Sequence, residues 1–216
     1  GGGGQESDVL KDHIVREEFA RAGAPGPSFL QGPAMLAPTL MEFGTEEQRH
    51  RFVPPSLREE IRWCQGYSEP GSGSDLASLQ CSAELQGDEW VINGQKAAWV
   101  SGAPVATHCK LNVQIDQSMG LSGGGYCIVP LDLPGVIRGN PLEKIGQRDL
   151  PQGELFFDNV RIPKHYMFIE PGTYADEVLN SLGHGNTGMS VVSLGLARAA
   201  FEEALAYAKV RVQGGK

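Results

Sequence analysis

The stretch that decides the fold is WCQGYSEPGSGSD, residues 63–75, and it is followed by NGQKAAWVS, residues 93–101. The first is a turn-forming run of small and hydroxyl-bearing residues, whose backbone N–H groups can approach an anionic or carbonyl-rich ligand closely. The second places the indole of Trp99 and the hydroxyl of Ser101 two residues apart. On a strand, this spacing puts both side chains on one face, so a flat ring can lie against Trp99 while Ser101 hydrogen-bonds its edge.

The composition is that of a folded protein. A chain of 216 residues, 40% of them hydrophobic and 20% charged, can bury a substantial core as one or two domains. The formal net charge of −8 argues against a nucleic-acid-binding surface, which normally carries a basic excess. The sequence has no apolar run long enough to span a bilayer and no signal-peptide pattern. We therefore expect a soluble protein that is not secreted and is not inserted in a membrane.

The cysteines and histidines do not form a recognisable metal-binding or disulfide pattern. The four cysteines, Cys64, Cys81, Cys109 and Cys127, are widely separated, with no CxxC pair and no histidine at metal-ligand spacing. In a chain of this size we expect reduced thiols, most of them buried as small apolar residues. No metal site is predicted.

The region from about residue 7 to residue 60 has helical periodicity. Within residues 9–20, four apolar side chains lie near one helical face, and the sequence APGP at 24–27 ends the segment. These four are Leu10, Ile14, Val15 and Phe19.

A second helix is predicted to begin at Thr45. Thr45 and Gln48 have the spacing of a capping box, in which each side chain bonds the backbone N–H of the other residue. The helix is expected to continue through Phe52, beyond which Pro54 and Pro55 should disturb it.

From about residue 62 to residue 163 the pattern changes to short strands separated by glycine and proline. Residues 89–92 and 95–101 read as the two strands of a hairpin joined by Asn93-Gly94, a strong two-residue turn signal. Further strands are predicted at 109–115, 126–131 and 154–161. This spacing favours an antiparallel barrel or sandwich-like domain.

From about Asn186 the helical pattern returns. Six apolar residues recur at helical spacing, which requires a packing partner for that face. They are Leu194, Ala197, Phe201, Ala204, Leu205 and Ala208. Since the chain ends just after this helix, we expect the partner to lie in sequence absent here or in another subunit.

Several motifs, in order, resemble the acyl-CoA dehydrogenase family. Besides 63–75 and 93–101, they are GGGG at 1–4, GTEEQ at 44–48, GQR at 146–148 and ELFFDNVRIP at 154–163. The resemblance covers nearly the whole chain and implies an α+β fold. Its implied parts are the end of an N-terminal helical domain (1–61), a β-domain that binds flavin and acyl-CoA (62–170), and a linker with the first helix of a C-terminal helical bundle (171–216).

The resemblance also implies FAD as cofactor and assigns its binding residues. Gln65, Gly66, Tyr67 and Ser68 would cradle the flavin pyrimidine, with Ser68 donating toward it. Ser74 would lie near the phosphates of the flavin or of the thioester substrate. Trp99 and Ser101 would lie beside the isoalloxazine ring, with Ser101 toward N5. Arg211 and Gln213 would reach the adenosine diphosphate portion across a subunit interface, which implies a homodimer or homotetramer.

One departure from the family pattern concerns Lys96. The family usually has one residue between this lysine and the tryptophan, whereas this chain has two, Ala97 and Ala98. A bulge in the strand or a shifted lysine is therefore expected, with the Trp-x-Ser unit intact.

The implied chemistry is α,β-dehydrogenation of an acyl-CoA thioester, as in fatty acid metabolism, with the β-hydride passing to flavin N5. The resemblance implies an electron-transferring flavoprotein as partner and a cytoplasmic or mitochondrial matrix location. The catalytic glutamate is expected beyond Lys216. Some members place the base at the position of Gly185, beside Asn186, and neither residue can act as one. The adjacent His184 is more typical of a solvated or capping side chain than of a base.

Two alternatives remain open. One is an acyl-CoA oxidase, and the other is a non-catalytic module that binds flavin or acyl-CoA. Taken alone, Trp99 is more typical of a core aromatic, and only the neighbouring motifs favour the cofactor site. Glu69 and Asp75 are candidate acids, but turn carboxylates commonly cap backbone N–H groups, so structural roles are favoured for both.

Overall fold

A computed structural model describes residues 8–24 and 31–215, without the side chains of Ala98, His184 and Asn186. Within these residues the chain divides into two compact units, one extending to Tyr174 and the other beginning at Ala175. The motif at 1–4 and the helix-ending prolines Pro25 and Pro27 lie outside the described residues.

The first unit begins with helices, as predicted. Helix α1 (Val9–Arg21) begins at Asp8, whose carboxylate accepts from the Lys11 backbone N–H at 2.8 Å. Its apolar residues are exposed, with Leu10 at 67%. A π-helical turn (Gly32–Leu36) leads into α2 (Ala37–Phe43), which is followed by α3 (Glu46–Leu57).

Helix α3 confirms the predicted capping box but not its predicted disturbance. The Thr45 hydroxyl accepts from Gln48 N at 3.2 Å, and Thr45 N donates to Gln48 Oε1 at 2.8 Å. The helix then continues through Pro54 and Pro55, so the expected disturbance was wrong. Proline lacks a donor but keeps its acceptor, and the carbonyl oxygen of Pro54 accepts from Arg58 N at 3.2 Å.

An eight-stranded, mostly antiparallel sheet follows, which confirms the α+β class. Its strands are β1 (Trp63–Gly66), β2 (Ser82–Gln86), β3 (Glu89–Ser101), β4 (His108–Gln114), β5 (Gly124–Pro130), β6 (Val136–Arg138), β7 (Gln152–Pro163) and β8 (Met167–Ile169). The strand order is β6-β7-β3-β2-β4-β5-β8, with β1 paired in parallel to β4. The predicted strands near 109, 126 and 154 are present as β4, β5 and β7.

The predicted hairpin at Asn93-Gly94 was wrong. Strand β3 continues through these residues, and its hairpin partner is β2, joined by the turn at Gly87-Asp88. The Asn93 side chain bonds across to Asn159 of β7, accepting from its backbone N at 2.8 Å. Gly94 is needed because a Cβ there would lie 2.7 Å from Cys81 Cα, with the backbone at φ +138°. Glycine is therefore required there because two backbone segments lie close together, and not because the chain turns.

The core of this unit is formed by residues of α2, α3 and the central strands, whereas α1 buries none. Trp63 of β1 donates from Nε1 to the buried Ser56 hydroxyl of α3 at 2.7 Å. All four cysteines are buried free thiols, as predicted. Desolvation raises the pKa of Cys81 to about 12 and raises the pKa values of Cys109 and Cys127 well above the ordinary thiol value.

The second unit consists of the part of α4 (Tyr174–Val210) that begins at Ala175, with the residues that follow it. The helix begins well before Asn186, where the periodicity predicted its start. The glycines at 183, 185 and 188 interrupt the apolar pattern, yet each costs a helix only about 1 kcal/mol. The apolar side chains of Leu194 and Phe201 are 69% and 65% exposed. None of the described helices is sufficiently long and apolar to cross a membrane.

The domain boundary expected between residues 61 and 62 stays a prediction. Helices α1–α3 and the sheet lie in one compact unit. The boundary expected after residue 170 also stays a prediction, although the second unit begins nearby at Ala175.

Candidate functional site

The first unit contains an open groove of about 580 Å³ between a turn and strand β3. The Ala97 backbone N–H donates to the Ser68 carbonyl at 3.1 Å, which joins the two stretches that the sequence analysis singled out. Glu154 of β7, the strand paired with β3, also lines the groove. The lining residues are Ser68, Glu69, Pro70, Gly71, Ser72, Gly73, Ala97, Trp99 and Glu154.

Hydrogen bonds within the turn hold its shape. Glu69 N donates to Ser72 O at 2.7 Å, Ser72 N donates to Glu69 O at 3.1 Å, and the Ser72 hydroxyl donates to the Asp75 carbonyl at 2.8 Å. A Cβ added at Gly71 or Gly73 would meet no atom within 4 Å. The small residues of this rigid turn therefore leave open space for a ligand.

A buried ion pair anchors the turn to the sheet. Lys96 Nζ donates to Glu69 Oε1 at 2.6 Å and to the Tyr67 carbonyl at 3.0 Å. The Glu69 carboxylate also accepts from Gln80 N at 2.6 Å and Cys81 N at 3.0 Å. The structural role predicted for Glu69 is therefore confirmed, and the structure adds Lys96 as its partner.

The expected bulge is present in β3. Opposite β7, Lys96 pairs with Leu155 and Val100 pairs with Gly153, so four steps along β3 oppose two along β7. Within the bulge Trp99 is 65% exposed, and Val100 at its end is buried. The Trp99 ring therefore lines the groove, whereas the Lys96 side chain is fully buried.

Two glutamines from distant parts of the chain bond Ser101, and a lysine bonds one of them. Its hydroxyl oxygen accepts from Gln152 Nε2 at 2.9 Å, and its carbonyl oxygen accepts from Gln31 Nε2 at 3.1 Å. Gln152 Oε1 accepts from Lys144 Nζ at 3.0 Å. No sequence motif pointed to Gln31, Lys144 or Gln152, because only the sheet register and the helix position bring Gln31 and Gln152 to Ser101, and Lys144 to Gln152.

Three other predicted site residues pack within the unit. Gln65 Nε2 lies 2.8 Å from the Met35 sulfur. Gly66 is buried where a Cβ would lie 2.6 Å from Leu111 Cδ1, so packing alone demands glycine there. The Tyr67 hydroxyl accepts from Tyr126 at 3.4 Å. Their assignment to a flavin stays a prediction.

The remaining predicted residues are exposed. Ser74 lies just beyond the groove turn. Arg211 and Gln213 follow the end of α4 in the second unit, where Arg211 N donates to Tyr207 O at 2.9 Å. Their assigned contacts with phosphates or a neighbouring subunit stay predictions. Over the described parts of the chain, no cluster of three or more His, Cys, Asp or Glu side chains could hold a metal ion.

Two family profiles match this chain. The acyl-CoA dehydrogenase N-terminal domain matches residues 1–60, and the acyl-CoA dehydrogenase middle domain matches residues 64–160.

Curated proteins and solved structures that are similar to this chain include acyl-CoA dehydrogenases. Acyl-CoA dehydrogenase IpdE1 of Mycobacterium tuberculosis is 43% identical over 72% of this chain and 40% of its own length. Glutaryl-CoA dehydrogenase of Desulfococcus multivorans is 34% identical over 100% of this chain and 56% of its own. A solved glutaryl-coenzyme A dehydrogenase in complex with glutaryl-CoA superimposes with a TM-score of 0.79 and 31% identity, covering 100% of this chain and 55% of that one. The chain thus spans about half the length of its relatives.

Proposed function

Because the chain belongs to the acyl-CoA dehydrogenase family, we propose that its groove holds the flavin of an enzyme that dehydrogenates acyl-CoA thioesters between the α and β carbons. FAD is the cofactor of this family. The single observation that carries the proposal is the joining of residues 68–73 with Ala97 and Trp99 around one groove.

The residues present fit a flat ring with a polar edge. The Trp99 indole is 65% exposed at the groove and offers an apolar face for stacking. Gly71 and Gly73 leave space beside it, and the Ser68 side chain lines the same groove. Two residues along β3, the Ser101 hydroxyl can hydrogen-bond the edge of such a ring.

When bound, FAD would accept the hydride that leaves the β-carbon of the thioester as a carboxylate base removes the α-proton. The chain's own contribution here is to bind and polarise. Trp99 would hold the ring plane, and the hydroxyls of Ser68 and Ser101 would offer fixed donors toward its edge. Lys96 and Glu69, which keep the turn against β3, would hold these groups in place. We expect the base itself further along the C-terminal domain.

The remaining parts of the proposal concern the whole protein. Ser74 would contact the phosphates of FAD or of the acyl-CoA substrate, and Arg211 and Gln213 would reach FAD across a homodimer or homotetramer interface. An electron-transferring flavoprotein would reoxidise the enzyme in the cytoplasm or the mitochondrial matrix. The acyl group in a relative's name, such as glutaryl, describes that relative and is not assigned to this chain.

The deciding experiment is the visible absorption spectrum of the full-length protein after incubation with FAD and desalting. Retained flavin absorbance that is perturbed from that of free FAD supports the proposal, whereas colourless protein contradicts it. The flavin-loaded protein is then mixed with a series of acyl-CoA thioesters without an electron acceptor. Flavin bleaching supports a dehydrogenase, rapid peroxide formation in air indicates an oxidase, and a flavin that no thioester bleaches indicates a binding module.

A further inference from the structure

We propose that Gln152 is a positioning residue that, together with Lys144, sets the direction of the Ser101 hydrogen bond so that the hydroxyl proton points into the groove. The inference rests on the flavin site proposed above. It concerns residues that no sequence motif singled out and that come from β7 and the loop before it.

The orientation of the Gln152 side-chain amide follows from its neighbours. A lysine ammonium is a donor only, so Lys144 can bond the amide oxygen but not the amide nitrogen. Lys144 Nζ is 3.0 Å from Gln152 Oε1, and it also donates to the Leu150 carbonyl at 2.6 Å. The NH₂ end of the amide must therefore face β3, where it donates to Ser101 Oγ at 2.9 Å and approaches the Trp99 carbonyl at 3.4 Å.

This orientation decides what Ser101 can do. A serine hydroxyl has one proton and two lone pairs. Because one lone pair accepts from Gln152, the proton is left to donate elsewhere, and Trp99, two residues earlier on the same strand, lines the groove. The charge on Lys144 polarises the Gln152 amide, and this polarisation strengthens the hydrogen bond from the amide to Ser101.

The Ser101 main chain is held as well. Gln31 Nε2 donates to the Ser101 carbonyl at 3.1 Å, although the two residues are 70 positions apart. The hydroxyl therefore rotates on a fixed backbone, and Gln152 is the described contact that selects its rotation. The arrangement cannot be read from the sequence, since residues 31, 101, 144 and 152 come together only in the folded unit.

The discriminating substitution is Gln152→Glu. A carboxylate keeps the size of the side chain and can still pair with Lys144, but it can only accept a hydrogen bond. The Ser101 proton would then turn toward residue 152 and away from the groove. Gln152→Ala removes more volume but leaves the proton free to rotate back. A role in positioning therefore predicts that Gln152→Glu is more damaging than Gln152→Ala, whereas a packing role predicts the reverse order.

The experiment uses the full-length protein, with FAD itself as the probe, and compares wild type, Q152E, Q152A, S101A and the double variant S101A/Q152E. Gln117→Glu, an exposed glutamine outside the groove lining, is the matched control for the added charge. The readouts are the FAD dissociation constant from flavin fluorescence and the midpoint potential of the bound flavin. Losing one donor should weaken FAD binding about 5- to 10-fold in Q152E and in S101A, and should shift the potential in the same direction in both.

The double variant tests whether the effect passes through Ser101. We expect Q152E to add little in the S101A background, since the proton it redirects is already gone. An equal effect of Q152E in both backgrounds overturns the inference, because it would reflect charge acting through space. Wild-type values for Q152E, a larger loss in Q152A, or an unaffected S101A also overturn it. Wild-type protein that fails to bind FAD contradicts the proposed function itself, which the other outcomes do not.

Discussion

Lys96 and Glu69 form a buried ion pair, with Nζ and Oε1 2.6 Å apart and side chains 0% and 5% exposed. The pair joins the start of the β3 bulge to the turn that forms the other side of the groove. Glu69 also accepts two backbone hydrogen bonds, and Lys96 also donates to a backbone carbonyl, so each charge is well satisfied. The shape of the groove therefore depends on this buried ion pair.

Replacing Lys96 by methionine should destabilise the protein by about 3–5 kcal/mol, because it leaves the Glu69 charge buried without its cation. Urea denaturation measures the change in the free energy of unfolding. The matched control is Arg161→Met, which breaks an exposed pair with Glu89 at 3.2 Å and should cost about 1 kcal/mol or less. Equal losses in the two variants would contradict this account of the buried pair.

Trp99→Ala should weaken FAD binding while leaving the fold intact. The ring is 65% exposed, so its removal creates little cavity, but the groove loses its stacking surface. Isothermal titration with FAD should show at least about a fivefold loss, corresponding to roughly 1 kcal/mol. Ile137→Ala on β6, at 57% exposure and outside the groove lining, provides the control. Unchanged FAD affinity in Trp99→Ala would remove this residue from the site.

Ser101→Ala should leave the melting temperature nearly unchanged and slow reduction of the bound flavin. It deletes one donor and little volume, and Ser68→Ala is expected to behave similarly. Stopped-flow bleaching of the flavin by an acyl-CoA thioester measures the effect. Ser82→Ala, at an exposed position on β2, is the control and should reduce the flavin at the wild-type rate. A wild-type rate for Ser101→Ala would show that its hydroxyl is not used.

Gly94→Ala should be strongly destabilising. The new Cβ would lie 2.7 Å from Cys81 Cα and 3.0 Å from its Cβ, at a backbone φ of +138° that only glycine adopts readily. We expect a loss above about 3 kcal/mol, as for a severe steric clash in a core. Gly146→Ala, where the added Cβ meets no atom within 4 Å, should change stability by about 0.5 kcal/mol or less. Thermal denaturation of both variants checks the contrast, and a mild effect at Gly94 would argue for a flexible turn there.

Stability should fall between about pH 9 and pH 12, in part through Cys81. Burial raises the pKa of its thiol from 9.0 to about 12, so the unfolded chain loses this proton at lower pH than the folded protein does. The stabilisation is complete below pH 9 and declines as the pH rises toward 12. Cys81→Ala should flatten the dependence of the unfolding free energy on pH in this range. An identical slope in wild type and variant would contradict the assignment to Cys81.

Local sequence patterns determined much of the fold. The capping box at Thr45 and Gln48 formed as predicted, because both partners lie within one helical turn. The strands near 109, 126 and 154 followed from apolar runs between glycine and proline. The bulge after Lys96 was visible as one extra residue between the lysine and the tryptophan. The resemblance of the motifs placed the chain in its family.

The tertiary structure decided which distant residues come into contact. It also decided which secondary structure an ambiguous local pattern adopts. Asn93-Gly94 has the sequence of a turn, yet β3 continues through it, because Gly94 lies close against Cys81 and the Asn93 side chain bonds Asn159. The start of α4 was hidden by glycines that weaken a helical pattern without ending the helix. Lys96 meets Glu69, and Gln152 meets Ser101, only after the sheet sets their register. A single sequence records which side chains are available, whereas partners far apart in the chain are selected by the folded geometry.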